Sequence, residues 1–147
     1  ALCLSGLCAH LNQLMTWKQR FGKDRVNFTL NILRFPSFQS PLVLSDKLRN
    51  YYRDCLKYWL EIHRQFSDEF LHEHERNHTQ RLIDYLDVVK TPHREAFDLP
   101  KLRADFKHFY QQYDQRRGKN FAETFQGLKM FGISDPKNNL VDWYRSL

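Results

Sequence analysis

The chain is poor in cysteine and glycine and has no long apolar run. Of 147 residues, three are cysteine (Cys3, Cys8 and Cys55) and five are glycine. An odd, sparse set of cysteines argues against a disulfide framework and suits a reducing compartment, so a cytoplasmic location is expected. No apolar stretch approaches the roughly 18 residues that a membrane span needs, and no membrane partner is expected. Residues 1–9 are apolar but lack a basic leader and are too short for a signal peptide. The glycines are scattered, which excludes a Gly-rich phosphate loop. No G-x-S-x-G elbow occurs either, so nothing independent points to nucleophilic catalysis. Internal repeats and low-complexity tracts are also missing.

What is present is a globular composition. Hydrophobic residues are 41% and charged residues 27%, with a net charge of +6. There are 12 Phe, 7 Tyr and 3 Trp, so the core should be rich in rings. The length suits one domain, whereas a complete eight-stranded α/β barrel takes about 200–250 residues. The chain starts at Ala1, mid-pattern, and reads as a fragment of a longer protein.

Periodicity predicts helices almost throughout. Leu7, Leu11, Leu14 and Phe21 form one stripe that Gly22 would cap. Leu48, Tyr51 or Tyr52, Cys55, Trp59, Ile62 and Phe66 form a second, with Ser45 as N-cap. Ser67-Asp68 marks a break. Leu71, His74, His78, Leu82, Tyr85 and Val89 form a third stripe, on a helix stopped near Lys90 by Thr91-Pro92. Asp98 and Pro100 open a helix with Leu102, Phe106, Phe109 and Tyr113 on its stripe, ending near Gly118. Asn120 and Glu123 open a short helix to about Lys129, and Leu140, Trp143, Tyr144 and Leu147 mark a last amphipathic segment.

One segment has the other period. In Val26 to Leu33, Val26, Phe28, Leu30 and Ile32 alternate with Asn27, Thr29 and Asn31, as in a strand. A lone strand leaves its backbone groups unpaired. Its partner is either the short stretch Leu42 to Leu44 or strands upstream of Ala1, and the second reading is preferred. The expected fold class is therefore mainly α with one or two strands: the last strand unit of a partial β/α barrel, residues 1–44, followed by a helical extension, residues 45–147. Barrel sites gather at strand C-termini, which places Asn31, Leu33, Arg34 and Phe35 at a rim.

The stretch from Asn27 to Leu44, N-F-T-L-N-I-L-R-F-P-S-F-Q-S-P-L-V-L, resembles the last barrel strand and following loop of radical S-adenosylmethionine enzymes, closest to those with a twitch-type C-terminal extension. Phe109 to Leu128, containing Tyr113-Asp114-Gln115-Arg116-Arg117-Gly118-Lys119-Asn120-Phe121, is similar to their terminal helix. The resemblance implies S-adenosylmethionine and a four-iron four-sulfur cluster in the full-length protein. It also implies that Asn31, Leu33, Arg34, Phe35 and Pro36 border the adenine and the substrate. The cluster loop C-x3-C-x2-C does not occur here, and Gln126-Gly127 stands where the family has Pro-Glu. The chain alone is thus expected to hold no cofactor and to be catalytically incomplete. No auxiliary cluster is indicated. The implied partner is the missing N-terminal part of the same polypeptide, acting on a peptide or small-molecule substrate.

Two other constellations compete. His74-Glu75-Arg76-Asn77-His78 matches H-E-x-x-H, in which two histidines one turn apart hold zinc and the glutamate serves as general base of a hydrolase. Glu95 or Asp98 would be a third ligand. The competing view is a solvated helix face. Lys101, Arg103, Lys107, Arg116, Arg117 and Lys119 lie among Phe106, Phe109, Tyr110 and Tyr113, a pattern suited to a helical module binding nucleic acid or protein. The same rings also fit a core stripe. The sequons at Asn27 and Asn77 are short enough to occur by chance.

Overall fold

The structure is a computed structural model that describes residues 2–66, 68–92, 98–125 and 139–147. Every regular element among them is helical: α1 (Leu4–Phe21), α2 (Asp46–Phe66), α3 (Glu73–Leu86), α4 (Leu99–Arg117), α5 (Phe121–Phe125) and α6 (Leu140–Ser146). Short 3-10 turns cover Ser37–Gln39, Pro41–Val43 and Asp68–Phe70.

The helix ends follow local chemistry. Gly22 closes α1 at φ 95° and its N–H donates to the Lys18 carbonyl, a conformation that favours glycine. The Ser45 hydroxyl accepts the Leu48 N–H at the start of α2. The Asp98 carboxylate accepts the Lys101 N–H at the start of α4, and Gly118 ends that helix in the left-handed region. Asn120 and Asn139 cap α5 and α6 in the same way. The predicted continuation of α5 to Lys129 lies outside the described residues beyond Phe125.

The predicted strand is not one. Residues 26–33 pair with no strand among the described residues, and Leu42 to Leu44, the candidate partner, lies in and just after a 3-10 turn. The partial barrel is therefore corrected to an all-helical arrangement. The alternation itself is real, because Phe28 is buried, Leu30 and Ile32 are half-buried, and Asn27, Thr29 and Asn31 are exposed. It shows that the segment lies one-sided on the helices, which needs no sheet. Its inward backbone groups are satisfied by side chains of α1 and α3.

Leu4, Cys8, Leu11 and Met15 of α1 belong to one cluster with Leu48, Cys55, Leu56 and Trp59 of α2 and Leu82, Ile83 and Leu86 of α3. Trp59 joins the layers. Its indole N–H donates to Asn12 Oδ1 at 2.9 Å, and its ring meets Phe28 edge-on with centroids 6.4 Å apart. The Arg49 guanidinium lies fully buried and donates to the carbonyls of Thr91 and Tyr85 beyond and within α3. A second focus is aromatic. Phe106 of α4 is surrounded by Tyr110, Phe121, Trp143 and Tyr144, tying α4, α5 and α6 together.

Burial also sets the thiols apart. Burial, reinforced by neighbouring Cys55, pushes the Cys8 thiol up to about 12 from 9.0. Burial raises Cys55 as well, whereas Cys3 is exposed. Brief iodoacetamide treatment of the native protein should therefore alkylate Cys3 alone, as read by peptide mass spectrometry. Early alkylation of Cys8 would contradict the packing of α1 on α2. Since the unfolded thiol ionises near 9.0 and the folded one near 12, this contribution to stability is complete below pH 9 and is lost as pH rises towards 12.

Candidate functional site

Two regions bear on function. The first is the H-E-x-x-H match on α3. Glu75 and Lys18 form a buried ion pair with Nζ to Oε1 at 2.7 Å and both side chains at 0% exposure. Oε1 also accepts the His72 N–H at 2.8 Å, and Oε2 accepts the Phe28 N–H at 2.9 Å. Lys18 Nζ donates in addition to the Val26 carbonyl at 2.7 Å. Glu75 thus neutralises a buried ammonium and binds two backbone donors. With its side chain fully buried it meets no solvent water to activate.

His78 is committed too. Its Nδ1 accepts the Leu30 N–H at 3.2 Å, so the ring is neutral with its proton on Nε2. Ligation of a metal through Nε2 would move that proton to Nδ1 and break the Leu30 bond. His74 is exposed, with its ring edge-on to His78 and stacked on His72. Of the two proposed third ligands, Asp98 caps α4, and Glu95 lies outside the described residues. Among the described residues no three His, Cys, Asp or Glu side chains group as a metal site. The buried face of α3 is Glu75, Thr79, Leu82, Ile83 and Leu86, rotated from the predicted stripe, and Val89 is exposed. An ion pair hidden in that face is what the apolar periodicity missed; a lysine at a helix end and a glutamate 57 residues away carry no local signal of pairing.

The second region is an apolar cavity of about 820 Å³. Leu33, Pro36, Phe38 and Gln39 form one wall, and Leu2 and Cys3 of the N-terminal turn border it. The opposite wall comes from α4 and α5, where Phe109, Tyr110, Tyr113 and Asp114 meet Lys119, Phe121, Thr124 and Phe125. Phe38 and Phe109 touch across it with centroids 5.5 Å apart, and the Tyr110 hydroxyl donates to Gln39 Oε1 at 2.9 Å. The Asp114 carboxylate accepts the Phe121 N–H, which fixes the α4–α5 corner. Burial raises the Tyr110 phenol, so it stays a neutral donor.

Of the four rim residues and Pro36, which the resemblance added, Leu33 and Pro36 line this cavity. Phe35 points elsewhere and is 82% exposed. The Arg34 guanidinium lies over the Tyr85 ring at 5.4 Å, and Asn31 is exposed on the far side of its segment. The basic and aromatic residues of α4 separate. Arg103 donates to the Val43 and Leu44 carbonyls, and Lys107 bonds the Leu147 carbonyl. Phe106 is buried, while Phe109 and Tyr113, expected on the core stripe, are 41% and 45% exposed at the cavity. No helix among the described residues is long and apolar enough to cross a membrane. No family model, curated protein or solved structure matches the sequence.

Proposed function

We propose that the chain is a substrate-facing, C-terminal helical part of a radical S-adenosylmethionine enzyme. One observation carries the reading. The two stretches that resemble that family, residues 27–44 and 109–128, lie far apart in sequence, yet Leu33, Pro36, Phe38 and Gln39 of the first meet residues of the second across a single cavity. The cavity falls within the volume range of small-molecule sites, about 300–1,000 Å³, and has their apolar lining with few polar groups.

The chain's own role in this reading is binding and orientation. The rings of Phe38, Phe109 and Tyr113 supply contact area, while Asp114 and Lys119 supply one charge of each sign. Cys8 and Cys55 are neighbours but buried, and no three His, Cys, Asp or Glu side chains group among the described residues, so these do not fit an iron–sulfur cluster. The radical-generating chemistry belongs to a preceding part of the polypeptide. The reading frame upstream of Ala1 is expected to encode C-x3-C-x2-C. The complete polypeptide, reconstituted with iron and sulfide under anaerobic conditions, is expected on one-electron reduction to cleave S-adenosylmethionine to methionine and, after hydrogen-atom abstraction, 5′-deoxyadenosine. A start codon immediately before Ala1, or no 5′-deoxyadenosine from the reconstituted protein, overturns the reading.

A further inference from the structure

Residues 26–31 are bonded along one backbone edge only. The Val26 carbonyl, the Phe28 N–H and both groups of Leu30 reach side chains of α1 and α3. In an extended chain successive peptide groups point to opposite edges, so those of Asn27, Thr29 and Asn31 point away from α3. They have no hydrogen-bond partner among the described residues, and all three side chains are exposed. Edges of this kind are usually blunted by lysine, proline or an inward charge. Residues 26–33 contain no charge and no proline.

The sequence across the open edge is close to self-complementary. Asn27-Phe28-Thr29-Leu30-Asn31 reads polar, apolar, polar, apolar, polar from either end. We propose that this edge pairs, antiparallel, with the same edge of a second copy of the chain, on a two-fold axis through Thr29. Thr29 then faces Thr29, Asn27 faces Asn31 and Phe28 faces Leu30. Each facing odd-numbered pair exchanges two backbone hydrogen bonds. Polar pairs fall on the solvent face and apolar pairs continue the face that packs on the helices. A shift by one residue would require the groups of Phe28 and Leu30, which α3 already holds. The bonds on the other edge therefore restrict the pairing to registers in which odd-numbered residues face each other, and the symmetry of Asn27-Phe28-Thr29-Leu30-Asn31 selects Thr29 as the centre. This pairing does not depend on the enzymatic reading.

Thr29→Pro removes one N–H from the open edge and leaves every bond to α1 and α3 in place. By sedimentation equilibrium the chain is expected to be dimeric at high micromolar concentration. Thr29→Pro should weaken the dimer at least about tenfold, the loss of some 1.4 kcal/mol, with an unchanged far-ultraviolet circular dichroism spectrum. In a Cys3→Ser background, Thr29→Cys should form an intermolecular disulfide on mild oxidation, and Asn27→Cys should do so only when mixed with Asn31→Cys. A monomer at that concentration, or a dimer that Thr29→Pro leaves intact, overturns the proposal. So does cross-linking of Asn27→Cys to itself as readily as Thr29→Cys.

Discussion

Glu75→Ala is expected to destabilise the protein by about 3–5 kcal/mol, the range for a buried ion pair that loses one partner. The cause is the ammonium left behind. Lys18 Nζ has two acceptors, Glu75 Oε1 and the Val26 carbonyl, and no exposure to water. Removing the carboxylate leaves a buried charge facing one carbonyl and also frees the N–H groups of His72 and Phe28. Urea unfolding followed by circular dichroism measures the loss. The double variant Lys18→Met/Glu75→Leu should recover part of it, because no charge then remains buried although the His72 and Phe28 N–H groups stay unpaired. His74→Ala should change stability by less than about 0.5 kcal/mol, since that side chain is exposed. Equal effects of Glu75→Ala and His74→Ala would contradict the structural role of the motif. Amide exchange supplies an independent readout: Phe28 should lose protection in Glu75→Ala while Leu30, held by His78, loses less.

Phe106→Ala should cost a similar amount, about 3–5 kcal/mol, but in the other half of the molecule. The ring is fully buried and meets Tyr110 at 4.7 Å, Trp143 at 5.2 Å and Phe121 at 6.3 Å between centroids. Neither α5 nor α6 is long enough to be stable as an isolated helix, so both depend on docking against α4. The deletion should therefore loosen both short helices and lower the near-ultraviolet signal of Trp143. Phe121 stacks on Tyr144 at 3.9 Å and also lines the cavity, so the cavity wall should loosen with them. Phe106→Leu, which keeps most of the volume, should cost less than about 1.5 kcal/mol. A Phe106→Ala protein with unchanged stability would mean that this aromatic cluster does not hold the C-terminal helices.

The sequence by itself determined the helices and most of their ends, although α3 stops at Leu86 and not near Lys90. The caps at Ser45, Asp98, Asn120 and Asn139 and the stops at Gly22 and Gly118 lie where their side chains, or the lack of one, dictate. Such contacts span three or four residues and are written locally. The alternation at residues 26–33 was legible as well, but its meaning was not. Period two says only that one face is buried, and a row of helix side chains satisfies that face and its backbone as well as a neighbouring strand would. Tertiary structure alone decided that Glu75 and His78 hold this segment. It also decided that Leu33 and Pro36 would meet Phe109 and Tyr113 across one cavity while Phe35 would not. These outcomes turn on which distant groups come within a few ångströms of each other, and a lysine at position 18 gives no sign of a glutamate at 75 until both are buried together.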